Sequence, residues 1–323
     1  MEFFKYTKTY DFMGMSKKTM FISLILVLAS YVLLFTKGLN YGVDFAGGTI
    51  VQVQYDAPAP IKQMREQLRS IPVFKDAKIT EFGSPEEVII RLSGSSQNIS
   101  NDVGDETLKA LAGTGNFEIR RVDMVGPKVG SELREQGLMA LLLATIGILI
   151  YVAFRFEWRF GVASIIALVH DISIAIGTLA LFQIPVNLDV LAALLTILGY
   201  SLNDTIIVFD RIREGITKMK STILGEVINE SVTRTLSRTT LTSLTTFFVV
   251  LTLYFFGGEI INAFAFTLLV GIIVGTYSSI FVASPVLLLF GFDIKGYRAR
   301  LAEKSKREAE KERMRAQFEQ GTV

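Results

Sequence analysis

Asp171, Asp189 and Asp204, together with the single His170, fall inside long apolar runs of this 323-residue sequence. Hydrocarbon cannot solvate a charge, so an acid held at membrane depth is costly and is a functional candidate by default. His170 and Asp171 are neighbours near the middle of one run. Asp189 opens the next run, and Asn203-Asp204 lie well within its far half beside Tyr200 and Ser201. No Lys or Arg falls inside these runs, so the acids lack an intramembrane cation. Loss of water penalises the ionised carboxyl, which poises such a group to load and unload a proton. Each has a plainer alternative: a neutral acid hydrogen-bonded to a neighbouring helix for Asp171 and Asp204, packing or hydrogen bonding for His170, and an interfacial position for Asp189. Folding the chain back at Phe182–Pro185 separates Asp171 from Asp204 by about six residues of depth, roughly 9 Å at the helical rise. A shared wet path between them is conceivable; a carboxylate dyad is not expected.

Other chemistries find little support. Without cysteine there are no disulfides, thiol nucleophiles or thiolate metal sites, and one histidine rules out a multi-histidine metal site. No G-x-x-x-x-G-K-[ST] run and no nucleophile–histidine pair occur, so neither nucleotide hydrolysis nor hydrolase chemistry is expected, and no cofactor or metal is called for. A net charge of +2 points to neither nucleic acid nor an acidic substrate. Asp44-Phe-Ala-Gly47-Gly48 is glycine-rich but precedes a strand, which reads as a tight turn closing a domain onto the first span. Gly271, Gly275 and Ser279 make a small-xxx-small face for helix packing. The hydroxyls of Thr239–Thr246 can bond backbone carbonyls or a partner helix. Arg234 and Arg238 just before them read as inner-interface anchors, with the alternative that one reaches inward to Asp204.

The elements that must position these residues are membrane helices. Half the residues are apolar, and crossing about 30 Å of hydrocarbon takes about 20 helical residues. Candidate spans are Met20–Phe35, Gly137–Phe154, Phe160–Leu181, Val186–Phe209, Leu241–Phe256 and Ala263–Phe290, the last weakened or kinked at Pro285. The spans at Met20 and Leu241 are short and need flanking Ser and Thr to cross. The apolar stretch near Met20 is followed by no A-x-A-like site, so a cleaved signal is not expected. Alternate connections are basic and bare: Lys5, Lys8, Lys17 and Lys18 at the start, Arg155 and Arg159 in the second turn, and Arg211 to Arg238 in the next-but-one connection, against Phe182–Pro185 and Gly257–Asn262 with none. This places both termini in the cytoplasm and the long Lys37–Arg134 segment outside.

That segment reads as a folded domain. Thr49–Tyr55 alternates as a half-buried strand, Pro60–Ser70 is helical, Ala77–Phe82 and Glu87–Leu92 are strands joined across Gly83-Ser84-Pro85, Glu106–Leu111 is helical and Asn116–Met124 alternates again. Strand-helix-strand-strand-helix-strand is the split ferredoxin-like order. The expected organisation is a cytoplasmic start (1–19), a first span (20–36), an α+β ferredoxin-like periplasmic domain (37–127), five further spans (128–290) and a charged cytoplasmic tail (291–323). Lys128–Gln136 forms an amphipathic lead-in, and the tail is a solvated helix-former attracted to anionic membrane lipid.

Four motifs carry a family resemblance. Asp44–Thr49 (DFAGGT) is similar to the D-F-x-G-G-T element of the SecD/SecF protein-export family, and Val125–Arg134 (VGPKVGSELR) resembles its V-G-P-x-V-G-x-E-L-R element. Leu198–Glu214 (LGYSLNDTIIVFDRIRE) resembles the fourth-span signature of the SecF members almost throughout, and Gly275–Ser279 (GTYSS) their sixth-span element. The match covers nearly the whole chain except the tail. It implies an RND-type fold in which six α-helical spans and an outer domain make one half of a pseudo-symmetric pair completed by SecD. It also implies a bacterial inner-membrane location beside the SecYEG translocon, where proton flow helps pull or release exported unfolded polypeptide after the ATP-driven step. By motif position Asp204 matches the family's intramembrane acid of the proton path, and Arg238 falls near a family arginine at the head of the fifth span. Asn203, Asp171 and His170 complete the candidate pathway, and Asp44, Gly47 and Gly48 the structural motif. One small outer domain and the chain length fit SecF rather than SecD or a fused chain. The expectation is a non-enzymatic, proton-coupled translocase subunit. Its rivals are a subunit of another RND-type exporter of small molecules or lipids, and a passive scaffold for a partner membrane protein.

Overall fold

The computed structural model describes residues 8–93 and 103–319; Lys5, counted above with the basic start, lies outside them. In chain order the elements are α1 (Ser16–Lys37), α2 (Val43–Ala46), β1 (Gly48–Tyr55), α3 (Ile61–Arg69), β2 (Lys78–Phe82), β3 (Ser84–Ser93), α4 (Val103–Ala110), β4 (Phe117–Val125), α5 (Pro127–Arg155), α6 (Trp158–Phe182), α7 (Leu188–Lys218), α8 (Leu224–Phe256), α9 (Glu259–Ser278), α10 (Ser284–Leu289) and α11 (Ile294–Glu319).

Among the described residues six helices are long and apolar enough to cross a membrane: α1 with the turn before it, α5, α6, α7, α8, and α9 running on into α10. α6 and α7 are half-buried inside the bundle, whereas α1 and α5 expose most of their apolar surface. Lipid can solvate that surface, so it needs no protein partner. α1 packs against α6, and its buried residues are Ser16, Ser23 and Ser30, one in seven, of which Ser30 meets α6 at Gly177. The approach is close because Gly177 on α6 leaves no room for a Cβ, which would lie 2.3 Å from Ser30 Cβ. α6 stops at Gln183, which takes up the left-handed conformation at φ 53°.

The α+β domain has the anticipated order. β1 pairs antiparallel with β3 and β4, and β2 with β3, giving the sheet order β2-β3-β1-β4. Alternation explains the register: Val51, Val53, Val88, Ile90 and Leu92 turn to one face, where Met64 and Leu68 of α3 and Val103 and Leu111 at α4 complete a closed core. The opposite face of the sheet, carrying Ile50, Gln52, Ile89 and Arg91, has no domain helix of its own on it among the described residues.

Two features depart from the sequence reading, and two more give detail to what it anticipated. The Asp44–Gly48 motif is a turn of helix followed by two glycines at φ 76° and 148°, and it docks on α5 and α7 rather than on the first span. Gly47 and Gly130 allow the approach, because a Cβ on Gly47 would lie 2.8 Å from Pro127 Cα and one on Gly130 2.9 Å from Gly47 N. Phe45, 6% exposed, then enters the bundle core against Ala175, Leu179 and Val190. Second, the basic connection between the fourth and fifth spans is mostly helix: α7 runs on to Lys218 and α8 begins at Leu224. Ile212 and Ile216 on one and Val227, Ile228 and Val232 on the other keep helical spacing and bury together. Third, the lead-in before the second span is continuous with α5. Fourth, the irregularity expected at Pro285 takes the form of a π-helical stretch at Ser279–Ala283 between α9 and α10.

Candidate functional site

α7 is the axis of the site, and both its ends are fastened. At the start Asp44 Oδ2 accepts a hydrogen bond from Leu188 N at 3.0 Å, putting an anion where free amides and the helix dipole favour it. At the other end Arg298, at the start of α11, donates to the carbonyls of Ile216 (2.5 Å), Met219 (2.6 Å) and Ser221 (2.9 Å).

Asp204 lies in the interior of α7 and is 1% exposed. Its Oδ2 accepts from Ser243 Oγ of α8 at 3.2 Å, and Thr276 of α9 donates to that same Oγ at 2.7 Å. Its Oδ1 is buried without a hydrogen-bond partner among the described residues. No Lys or Arg pairs with it among those residues.

Asp171 on α6 has the opposite character. It is fully buried and fully bonded. Ser201 of α7 and Ser278 of α9 donate to Oδ2 at 2.5 and 2.7 Å, and His170 Nδ1 lies 2.8 Å from Oδ1. The His170 ring stacks on Tyr277 at 6.1 Å, and its Nε2 is buried without a hydrogen-bond partner among the described residues. Tyr277 OH donates to Thr19 O at 2.9 Å and sits 3.1 Å from Ser23 Oγ, so the cluster reaches α1 as well.

Glycines let α9 supply its hydroxyls. A Cβ on Gly271 would lie 2.2 Å from Ile197 Cγ1 of α7, and one on Gly275 3.0 Å from Ser201 Cβ. With both absent, α9 settles onto α7 and brings Thr276 and Ser278 beside the two acids. Ser279 follows in the π-helical stretch and donates to Thr276 O at 3.0 Å.

Asp204, Asp171 and His170 are therefore interior, and no hydrogen bond joins the two carboxyls. Asn203 and Arg238 face outward. The inward-reaching alternative for the arginines does not occur. Arg234 pairs with Glu230 one turn away at 2.5 Å. Arg238 lies five residues before Ser243, roughly 140° around the helix from the side that meets Asp204. Asp189 lies in the first turn of α7 at the domain-facing end, with Oδ1 buried and without a side-chain hydrogen-bond partner among the described residues. Ser243 belongs to the Thr239–Thr246 hydroxyls read as able to bond a partner helix, and Thr276 to the Gly275–Ser279 motif, but nothing in the sequence ties either to Asp204 until the helices are packed. Among the described residues no group of three or more His, Asp or Glu is gathered as a metal would need.

Six spans carrying one ferredoxin-like domain, with a buried acid on the fourth, define a multi-pass membrane protein whose extramembrane domain is seated on the helix ends. Residues 106–293 match the family described as protein export membrane protein SecD/SecF, C-terminal, and residues 32–59 match the SecD/SecF GG motif. Protein translocase subunit SecF of Helicobacter pylori is 48% identical over the full length of both chains, and that of Escherichia coli O157:H7 is 41% identical over 88% of each. The crystal structure of SecDF, a translocon-associated membrane protein from Thermus thermophilus, superposes with a TM-score of 0.78 at 38% identity, over 88% of this chain and 39% of that one. The chain belongs to the SecD/SecF family of protein-export membrane proteins, among the SecF translocase subunits. It spans about two fifths of the solved SecDF chain.

Proposed function

We propose that this protein works with a SecD-type partner to couple proton entry to the late stage of protein export, and that Asp204 is the group that loads the proton. The observation carrying this reading is the asymmetry of Asp204: a carboxyl 1% exposed, held by one hydroxyl and with a second oxygen unbonded. Such a group exchanges a proton without first breaking a closed network, whereas Asp171 cannot. Adding the proton alters what Oδ2 can accept from Ser243 and so rebalances the contact between α7 and α8. The Asp44 cap and the glycine contacts at Gly47 and Gly130 carry a change in α7 to the base of the extramembrane domain. The energy is sufficient, because one charge crossing the membrane potential yields about 2.3 kcal/mol per 100 mV.

Arg155, Arg159, Arg211 and Lys218 lie at the bundle end away from the domain, which supports placing that end in the cytoplasm and the domain outside, next to the SecYEG channel and the emerging polypeptide. Ala192, Thr196, Gly199 and Asn203 recur on one exposed side of α7. Small and polar side chains at that spacing suit the close approach of a partner's helix, and a SecD-type half is the partner we assign. Replacing Asp204 with Asn tests the proposal. Export that depends on the proton-motive force is expected to fail while the protein accumulates normally and still co-purifies with its partner. Unaltered export at normal protein levels would refute proton loading and favour a scaffold.

A further inference from the structure

The sheet face with no domain helix on it looks down on the ends of α7 and α9, and between them lies a cleft of about 250 Å³. Its charged groups are unequally satisfied. Arg121 is paired with Asp123 at 2.7 Å, and Asp44 is engaged by Leu188 N. Arg91, on β3 in the roof, makes no ion pair or hydrogen bond among the described residues. Asp189, in the floor, has Oδ1 buried and without a hydrogen-bond partner among those residues. Both side chains line the cleft, and no ion pair joins them among the described residues. A cation above and an anion below, both unpaired across an open space, fit a ligand carrying both signs.

The position of the cleft narrows the ligand further. Ile260, at the head of α9, lines it and is 63% exposed. Phe255 and Phe256, at the adjoining end of α8, are also exposed. These apolar side chains stand at the ends of the α8 and α9 spans, the level at which hydrocarbon gives way to water and aromatic rings are at home. A soluble zwitterion would gain nothing from them.

We propose that this cleft holds the head group of an aminophospholipid from the leaflet on the domain side, with the phosphate on Arg91, the ammonium on Asp189 and the chains descending past Ile260. The bound head group bridges the sheet to the ends of α7 and α9, and so fixes the seating of the domain on the bundle. Recognition depends on an N–H donor. Phosphatidylcholine carries the same charges but cannot donate to Asp189, and phosphatidylglycerol lacks the cation.

The test is lipid binding to the delipidated full-length protein in detergent, followed by native mass spectrometry and thermal stabilisation. Phosphatidylethanolamine is expected to bind about tenfold more tightly than phosphatidylcholine or phosphatidylglycerol, the scale of one charge-assisted hydrogen bond. Arg91→Gln and Asp189→Asn should each lower its affinity about tenfold, and Asp189→Asn should also erase the preference over phosphatidylcholine. Arg91→Lys, which keeps the cation, should retain most of the binding and shows that the site still folds. Equal binding of the three lipids, or full selectivity in both charge-removing variants, overturns the proposal. So does a photoreactive side chain at Phe82, in the cleft wall, that labels translocating polypeptide and no lipid.

Discussion

Ser201 donates to Asp171 at 2.5 Å across the α6–α7 interface, three residues before Asp204 on the same helix. One turn of α7 therefore carries a closed junction and an open one. Ser201, with Ser278 and His170, saturates the Asp171 carboxyl and ties α6, α7 and α9 together, while Asp204 reaches α8 through Ser243 alone.

Replacing Asp171 with Ala should consequently cost more stability than replacing Asp204 with Ala. Ala at 171 leaves Ser201, Ser278 and His170 without their shared partner, and each buried group left unpaired costs about 1–3 kcal/mol. Ala at 204 removes the acceptor of Ser243 alone. Thermal unfolding of the purified variants in detergent should show the larger drop for the first; equal drops would contradict this contrast.

Gly271→Ala places a methyl 2.2 Å from the side chain of Ile197. Overpacking of this kind costs about 1–3 kcal/mol, and shortening Ile197 to Ala in the same chain should recover much of it. The single and double variants form a cycle readable by melting temperature. Absence of rescue would mean that the helices do not meet there.

Asp44→Ala removes the side-chain acceptor at the start of α7, a loss of about 1 kcal/mol. Amide hydrogen exchange is the sensitive readout: protection should fall at Leu188 and its neighbours and hold in the middle of the helix. Asp44→Asn should preserve part of the protection, since its carbonyl still accepts.

Tyr55 predicts an alkaline response in the domain. Burial pushes its phenol above the usual tyrosine range, opposed in part by its hydrogen bond with Thr114. Because the folded state favours the protonated ring, this contribution to stability is complete below about pH 10. It is lost as pH rises through the higher folded value. Tyr55→Phe should remove that alkaline loss at a cost of about 1 kcal/mol near neutral pH. Denaturant unfolding monitored across pH 8 to 12 would reveal both effects, and an unchanged alkaline slope would contradict them.

Much of the architecture was open to reading in one dimension. The alternation of Thr49–Tyr55 declares a strand with one buried face, and the apolar runs declare their helices, because these periodicities follow from backbone geometry before any partner is present. Asp204 stood out for a similar reason: a carboxyl in an apolar run is costly whatever surrounds it. Gly271 and Gly275 could be marked as packing residues, though not against which helix.

What lay beyond that reading depends on rotation and on distance in sequence. Asn203 and Asp204 are chain neighbours, yet 100° of helical turn sends one outward and the other to Ser243. The hydroxyls of Ser201, Ser243, Thr276 and Ser278 resemble their many neighbours until α9 is drawn against α7. Arg298, about eighty residues from the carbonyls it caps, has no local pattern to announce it. Periodicity, composition and the cost of buried charge are local properties, so the sequence by itself determined the helices, the sheet and the acids. Which acid is sealed and which stays open was decided only by tertiary packing, because a hydrogen bond exists only where separate segments bring donor and acceptor within about 3 Å.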